Sequence, residues 1–255
     1  MKYFGLITVR TNSTRLKKKC LLKFGNINII EHIILRAKKN NIIPIVCTTK
    51  SKSDTILEKI SKKHKVKCFR GSVKNKIKRW HDCAKKNKIN FFHTIDADDP
   101  FFDSATIKKS ILKCVASNGI VFPSIVSRKG GASEGYSFSY EAINKLNEIV
   151  KKLKKKHDSI DTEMVEKFIS KKKFNTKILK GPNYEIKKAR LTLDYREDYI
   201  MLSKVRDLCG NFASRKKINR FLKINKDILK INFFRNSDWE KKQKLFNKSV
   251  NRSYA

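Results

Sequence analysis

Short apolar runs alternate with helix-period runs from the first residues to about residue 126. Candidate strands cover 3–9, 42–49, 66–70, 89–95 and 119–126, and candidate helices cover 28–40, 54–64, 73–87 and 105–117 between them. This alternation favours parallel strands, because each helix carries the chain back across one face of the sheet before the next strand begins. The sequence therefore predicts an α/β fold with a mostly parallel sheet and helices on both faces.

The pattern is less regular after residue 126. A segment rich in Gly and Ser covers 127–135 and is expected to be a loop near the cleft mouth. Beyond it we expect a strand at 136–140, helices at 141–155 and 160–170, a strand at 174–180 and a last buried strand at 189–193. Residues 1–205 are interpreted as one domain, and residues 206–255 as a tail of short helices.

The chain is strongly basic, with 61 Lys and Arg against 23 Asp and Glu and a formal charge of +38. Such a charge makes a nucleic-acid-binding protein an alternative from a different class. The cations are mostly lysines spread over every predicted helix, whereas a nucleic-acid surface more often gathers arginines and aromatic side chains on one face. A nucleic-acid binder would lose affinity steeply with salt and would be indifferent to Asp98→Ala.

The cysteine pattern and the apolar runs bear on the compartment. The six cysteines form no C-x-x-C pair and lie mostly in apolar segments, which is typical of reduced thiols in a cytosolic protein. The sequence shows neither a signal-peptide pattern at its start nor an apolar run of membrane-spanning length. We therefore expect a soluble, cytoplasmic protein.

The loop after the first predicted strand combines cations with hydroxyl groups. Guanidinium and ammonium groups next to backbone N–H donors, followed by the positive end of a helix, are suited to binding phosphate oxygens. The loop is therefore predicted to hold a polyphosphate. Its candidate residues are Arg10, Ser13, Thr14, Arg15 and Lys19.

Carboxylates gather after two later strands, against the basic composition of the chain. Asp96, Asp98, Asp99 and Asp103 follow the strand 89–95, and Asp194 follows the strand 189–193. Ligands of doubly wound sheets bind at the carboxyl ends of strands, and crowded carboxylates repel unless a cation joins them. A hard divalent ion such as Mg²⁺ takes one or two carboxylates together with substrate phosphates.

Structural roles for these acids are open alternatives. Asp103 or Ser104 is placed to begin the following helix as an N-cap, and Asp99 with Pro100 is typical of a turn. Asp194 and Glu197 have the spacing of a capping box. The order of the three segments along the chain, rather than any one acid, favours a functional site.

Taken together, these motifs resemble the CMP-sugar cytidylyltransferase family, which includes the acylneuraminate and 3-deoxy-manno-octulosonate cytidylyltransferases and the SpsF-like spore-coat polysaccharide proteins. The segments that carry the resemblance are Arg10-x-x-Ser-Thr-Arg-Leu-x-x-Lys19, Phe69-Arg-Gly-Ser72, Asp96-Ala-Asp-Asp-Pro100 and Arg190-Leu-Thr-Leu-Asp-x-x-Glu-Asp198.

The resemblance implies a Rossmann-like three-layer sandwich of the nucleotide-diphospho-sugar transferase type with a short helical C-terminal tail. It also implies transfer of CMP from CTP to an acidic sugar or related acid for surface polysaccharide synthesis, with release of pyrophosphate. Within the same fold, another nucleoside triphosphate or a phosphonate acceptor is the alternative. Residues 1–205 would be the catalytic domain, and 136–180 would contact the acceptor and the partner in a homodimer.

The family's residue roles carry over by position. Arg15 and Lys19 would act on the β- and γ-phosphates, and Asp98 would be catalytic and a Mg²⁺ ligand together with Asp194. Arg10, Ser13 and Thr14 would complete the phosphate loop, and Arg70, Ser72 and Asp96 would lie near the nucleotide.

The chain departs from the family pattern in three places. Lys17-Lys18 replaces the usual Pro-Gly before the loop lysine, which predicts a less tightly turned loop. Glu134 stands in a segment that matches the acceptor strand loosely, and His157 stands in an acceptor element whose order is altered. These two residues are the acceptor candidates.

Overall fold

The computed structural model describes residues 1–124, 135–154, 161–183, 186 and 189–241. A seven-stranded sheet in the order β5-β4-β1-β6-β8-β7-β9 forms its centre, and β2 and β3 form a separate hairpin. Strand β8 runs antiparallel to β6 and β7, and the other pairings of the large sheet are parallel. The strands are β1 Phe4–Thr8, β2 Lys23–Phe24, β3 Ile27–Asn28, β4 Ile43–Thr49, β5 Lys67–Gly71, β6 Phe91–Asp96, β7 Ile120–Phe122, β8 Ser137–Ser139 and β9 Thr176–Ile178.

Helices cover both faces of the sheet, as the sequence predicts. They are α1 Ile29–Lys39, α2 Thr55–Lys63, α3 Lys76–Lys86, α4 Ser104–Ser117, α5 Tyr140–Lys154, α6 Arg196–Cys209, α7 Arg215–Ile224 and α8 Lys226–Lys230. The mostly parallel sheet between two helical layers confirms the Rossmann-like three-layer class. No helix within the described ranges is both long and apolar enough to cross a bilayer.

Strand β1 shows how one sequence supplies two cores. Successive side chains of a strand point to opposite faces. Leu6 accordingly packs in the core that contains α3 and α5, whereas Ile7 packs in the core that contains α1, α6 and α7. Gly5 is required for close packing, because a Cβ atom there would lie 2.7 Å from Cδ1 of Ile95 on the neighbouring strand β6.

Two predicted elements are wrong. The helix expected at 160–170 is a short 3-10 turn at Val165–Phe168. The strand expected at 189–193 is not formed, although Leu191 and Leu193 are fully buried. Leu193 donates its amide hydrogen to the carbonyl of Asp98 instead. Burial alone does not distinguish a strand from a buried irregular segment that lies beside a loop.

Helix α6 has no counterpart among the predicted elements. It runs without a break through residue 205, the predicted end of the catalytic domain, and its Leu202 and Val205 pack in the same core as Ile218 of α7. The predicted strand 189–193 and the expected tail from 206 leave the start of this helix unassigned.

Candidate active site

The loop after β1 is fixed at its start by a buried acid from another element. The carboxylate of Asp54, just before α2, accepts the backbone N–H of Thr11 at 2.8 Å and its hydroxyl at 2.7 Å. It also accepts the hydroxyls of Thr48 and Thr49 at the end of β4. Burial would raise the Asp54 pKa, but these hydrogen bonds, led by that from Thr49, hold it below its ordinary value. Asp54 thus anchors the loop to the carboxyl end of β4.

The loop ends in a tight turn despite its lysines. Lys18 has a φ of 50°, in the left-handed region that favours glycine. Lys19 donates its amide hydrogen to the carbonyl of Leu16, and Leu21 donates to Lys18 at 2.8 Å. The loop therefore turns at Lys18 although Lys17-Lys18 predicts a less tightly turned loop. Lys18 adopts the backbone conformation that a glycine would adopt most easily.

Lys19 joins two carboxylates that are far apart in the sequence. Its Nζ lies 2.8 Å from Oδ2 of Asp98 and 2.9 Å from Oδ1 of Asp194. Arg15 contacts the same Oδ1 at 2.7 Å, and Arg190 lies 3.3 Å from the other oxygen of Asp194. Cations from the loop after β1 and acids from two later segments thus form one network.

The segments that carry the two acids are bound to each other. The amide of Leu193 donates to the carbonyl of Asp98 at 2.7 Å. Asp198 accepts the amide hydrogens of Asp194 and Tyr195, both at 2.9 Å, and so caps the start of α6. Because Asp198 performs the capping, the alternative that Asp194 does so with Glu197 is wrong, and the Asp194 carboxylate faces the cations.

The chain is similar to known proteins of one family. A family model described as cytidylyltransferase matches residues 4–228. The chain belongs to the cytidylyltransferase family. A curated relative, uncharacterized protein MJ1063 of Methanocaldococcus jannaschii, is 30% identical over 240 residues, which are 91% of this chain and 95% of the relative.

Two solved structures share the fold of this cytidylyltransferase. A cytidylyltransferase from Leptospira borgpetersenii is 26% identical with a TM-score of 0.74, covering 90% of this chain and 97% of its own. A CMP:2-keto-3-deoxy-manno-octonic acid synthetase complexed with CTP is 13% identical with a TM-score of 0.59, covering 82% and 98%. The protein is a CTP-dependent nucleotidyltransferase, and the predicted family resemblance is confirmed.

The electrostatics of the candidate site depend on Lys19. Burial would lower the Lys19 pKa, but Asp98 and Asp194 raise it, so the ammonium stays charged. Burial raises the pKa of Asp98. Burial also acts to raise the pKa of Asp194, yet Lys19 and Arg15 hold it below its ordinary value. The network therefore depends on keeping a cation between two acids that would otherwise repel each other.

The two acids fit a divalent ion in their donor chemistry. Oδ1 of Asp98 is buried and accepts no hydrogen bond, so a buried carboxylate oxygen is left for another ligand. Across the described ranges no group of three or more His, Cys, Asp or Glu side chains is assembled for a metal. A pair of carboxylates is nevertheless the donor set with which Mg²⁺ is usually held beside substrate phosphates. Asp98 and Asp194 could therefore hold Mg²⁺.

The other predicted nucleotide residues lie in different surroundings. Ser13 is half-buried and Thr14 exposed in the loop after β1. Arg70 donates to the carbonyls of Thr49 and Ser51, at 3.2 and 2.7 Å, and so holds the chain after β4. Ser72 accepts the amide hydrogen of Asn75, before α3. Nucleotide roles for these four residues stay predictions.

Two groups of predicted residues remain: the acceptor candidates, and the acids for which a structural role was the alternative. Glu134 and His157 lie outside the described residues. Asp103 accepts the amide hydrogen of Ala105 at 3.0 Å, so its predicted role as the N-cap of α4 is confirmed. Asp99 is fully buried, with Arg215 of α7 at 3.6 Å.

Sequence reasoning missed two charged residues beside the predicted site. Nζ of Lys76, the first residue of α3, lies 3.8 Å from Asp96 and 3.6 Å from Glu163, and Arg10 lies 3.8 Å from Glu163. A lysine in the first turn of a helix without an acid in that turn is unfavourable beside the helix dipole. That mismatch is the sequence signal by which Lys76 could have been found.

Proposed function

We propose that this cytidylyltransferase transfers CMP from CTP to an acidic sugar or a related acid and releases pyrophosphate. The observation that carries the proposal is the convergence of Arg15 and Lys19 with Asp98 and Asp194 in one network. The site joins donors suited to phosphate oxygens and acids suited to a divalent ion. The acidic acceptor is supported by the fold shared with the octonic acid synthetase and by the further cations Arg10 and Lys76 nearby.

The chain's own residues bind and orient the triphosphate. Arg15 and Lys19 would donate hydrogen bonds to its β- and γ-phosphate oxygens and stabilise the negative charge that builds up on the departing pyrophosphate. Arg10, Ser13 and Thr14 would shape the loop around it. Asp54 keeps the loop at the edge of the sheet, so that these donors are preorganised.

Asp98 and Asp194 would hold Mg²⁺ in the proposed enzyme. The ion, when bound, supplies a positive charge that neutralises phosphate oxygens as phosphorus is attacked. Since Lys19 contacts both acids here, we propose that its ammonium moves to the triphosphate when the substrate and the ion bind. The proposal further includes a homodimer and a role in surface polysaccharide synthesis in the cytoplasm, both of which rest on the family resemblance.

Pyrophosphate release from CTP, measured with Mg²⁺ and a panel of sugar acids and other acids, tests this function. Asp98→Asn and Asp194→Asn should each lower turnover by at least about 100-fold with the fold intact. Asp227→Asn, at an exposed acid of α8, is the matched control and should keep full turnover. Absence of turnover with every acceptor, together with absence of CTP binding, would contradict the proposal.

The nucleotide preference is tested separately by thermal unfolding with each nucleoside triphosphate. A ligand that binds only the folded state raises the unfolding temperature, and at equal concentration the tighter ligand gives the larger shift. CTP should give the largest shift. A larger shift with another triphosphate would favour the alternative nucleotidyltransferase, and turnover with phosphonate acceptors alone would change the acceptor class.

A further inference from the structure

One carboxylate joins two cations beside the Lys19 network. Arg10 comes from the loop after β1, Lys76 begins α3, and Glu163 lies shortly before the turn Val165–Phe168. Glu163 is 3.8 Å from a guanidinium nitrogen of Arg10 and 3.6 Å from Nζ of Lys76. Three separate elements thus meet at a single carboxylate, next to Asp96 at the end of β6.

The position of Lys76 calls for an anion. Its side chain is 13% exposed and its Nζ lies over the Trp80 ring, 5.2 Å from the centroid. Burial would lower the Lys76 pKa, yet Glu163 and Asp96 raise it, so the ammonium is charged. A buried positive charge at the positive end of a helix is unfavourable unless negative charge lies nearby. Helix α3 has no acid in its first turn, and the carboxylates that surround Lys76 come from elsewhere in the chain.

Glu163 holds these cations loosely. The contacts of Glu163 with Arg10 and Lys76 are longer than hydrogen bonds, whereas the contacts of Lys19 with its acids are 2.8 and 2.9 Å. The Glu163 side chain is also 45% exposed. The adjacent backbone is firmly held, because the hydroxyl of buried Thr162 accepts the amide hydrogen of Lys76 at 2.6 Å. The carboxylate can therefore leave the cations while the backbone beside it stays in place.

We propose that Arg10 and Lys76 form a binding subsite for an anionic group of the substrate, and that Glu163 occupies this subsite until the substrate displaces it. The subsite rests on the proposed function, since its ligand is a phosphate of CTP or the acid group of the acceptor. Both sources are oxyanions, which accept charge-assisted hydrogen bonds from guanidinium and ammonium groups.

Calorimetric titration in Mg²⁺ separates the two sources. The probes are CTP, neutral cytidine, and inorganic phosphate added to the CTP-saturated protein. Glu163→Gln removes the competing charge and should tighten binding of one anionic probe by about 3- to 10-fold, because exposed ion pairs are weak but must be broken by the ligand. Lys76→Met should weaken the same probe by about 10-fold, and Lys76→Arg should restore most of that loss. Cytidine binding should not change.

Control variants lie at exposed ion pairs elsewhere on the surface. Glu148→Gln, whose partner is Lys151, and Lys78→Met, on α3 and paired with Asp82, should leave all three titrations unchanged. Tighter CTP binding by Glu163→Gln assigns the subsite to the triphosphate, and tighter phosphate binding assigns it to the acceptor.

Unchanged or weaker binding of both anions by Glu163→Gln would overturn the subsite, as would equal losses for CTP and cytidine in Lys76→Met. A wild-type protein that binds no CTP would instead contradict the proposed function.

Discussion

Replacing Lys19 by methionine tests the central network most directly. The substitution keeps the length of the side chain and removes its charge, so Asp98 and Asp194 lose their shared cation. Breaking a buried ion pair from one side costs about 3 to 5 kcal/mol. The cost should be smaller here, about 2 kcal/mol, because Asp98 is 24% exposed and Asp194 keeps Arg15 and Arg190.

Urea unfolding in the presence of EDTA measures this loss. With a slope of about 2 kcal/mol per molar urea, the midpoint of Lys19→Met should fall by about 1 M. A divalent ion should then take the place of the ammonium: 10 mM Mg²⁺ acting on a site with a dissociation constant near 1 mM would return about 1.4 kcal/mol. Wild-type protein should gain much less, because its own cation already occupies the position between the acids.

Lys17→Met is the matched control, since Lys17 is an exposed lysine of the same loop. It should unfold like the wild-type protein with and without Mg²⁺. Two results would contradict this prediction: a Lys19→Met protein as stable as wild type in EDTA, or equal stabilisation of both proteins by Mg²⁺. In the first case the ion pairs contribute nothing net, and in the second the gain from Mg²⁺ does not depend on removing the Lys19 ammonium.

Three further outcomes are expected. Asp54→Ala should lower the free energy of unfolding by about 3 kcal/mol, because buried donors of Thr11, Thr48 and Thr49 lose their acceptor. It should also raise the KM for CTP, and an unchanged KM would show that Asp54 does not position the loop after β1 for CTP. Lys18→Gly should stabilise the protein by up to about 1 kcal/mol in thermal unfolding, since φ is 50° there, whereas Lys17→Gly should not; equal effects would show that the turn carries no strain. Glu31→Gln should cost about 2 kcal/mol at pH 7, because Lys63 and His64 outweigh burial and hold the Glu31 pKa at about 2. A depressed carboxyl pKa stabilises the fold above the unfolded value, so this difference should shrink as pH falls from 4.5 towards 2 in urea titrations, and a constant difference would exclude the charge as its cause.

Much of the fold was predictable because its signals are local. The alternation of apolar runs with helix-period runs located β1, β4, β5 and β6 together with α1 to α4, and the parallel sheet followed from the connections between them. The predicted strand 189–193 failed for the same local reason. Its apolar residues are buried, but the carbonyl of Asp98, rather than a neighbouring strand, accepts the amide hydrogen of Leu193.

The candidate site was predictable in its residue types and only partly in its membership. Acids after predicted strands marked Asp98 and Asp194, and the loop pattern marked Arg15 and Lys19. Their meeting in one network is a tertiary fact, because Lys19 and Asp194 are 175 positions apart. Roles for Asp54 and Glu163 could not be read from the sequence, since each depends on a partner contributed by another element.

The sequence by itself determined the periodicity of the elements, the cations and hydroxyl groups of the first loop, and the acids that follow two segments of the chain. The tertiary structure decided that an ammonium lies between those acids, that Asp198 rather than Asp194 caps α6, and that Lys76 meets a carboxylate from a distant segment. The physical reason is the distance along the chain over which each kind of interaction acts. Periodicity and capping preferences act over a few residues, whereas a charge network is defined by distances in space that are set only when the sheet order and its connections are complete.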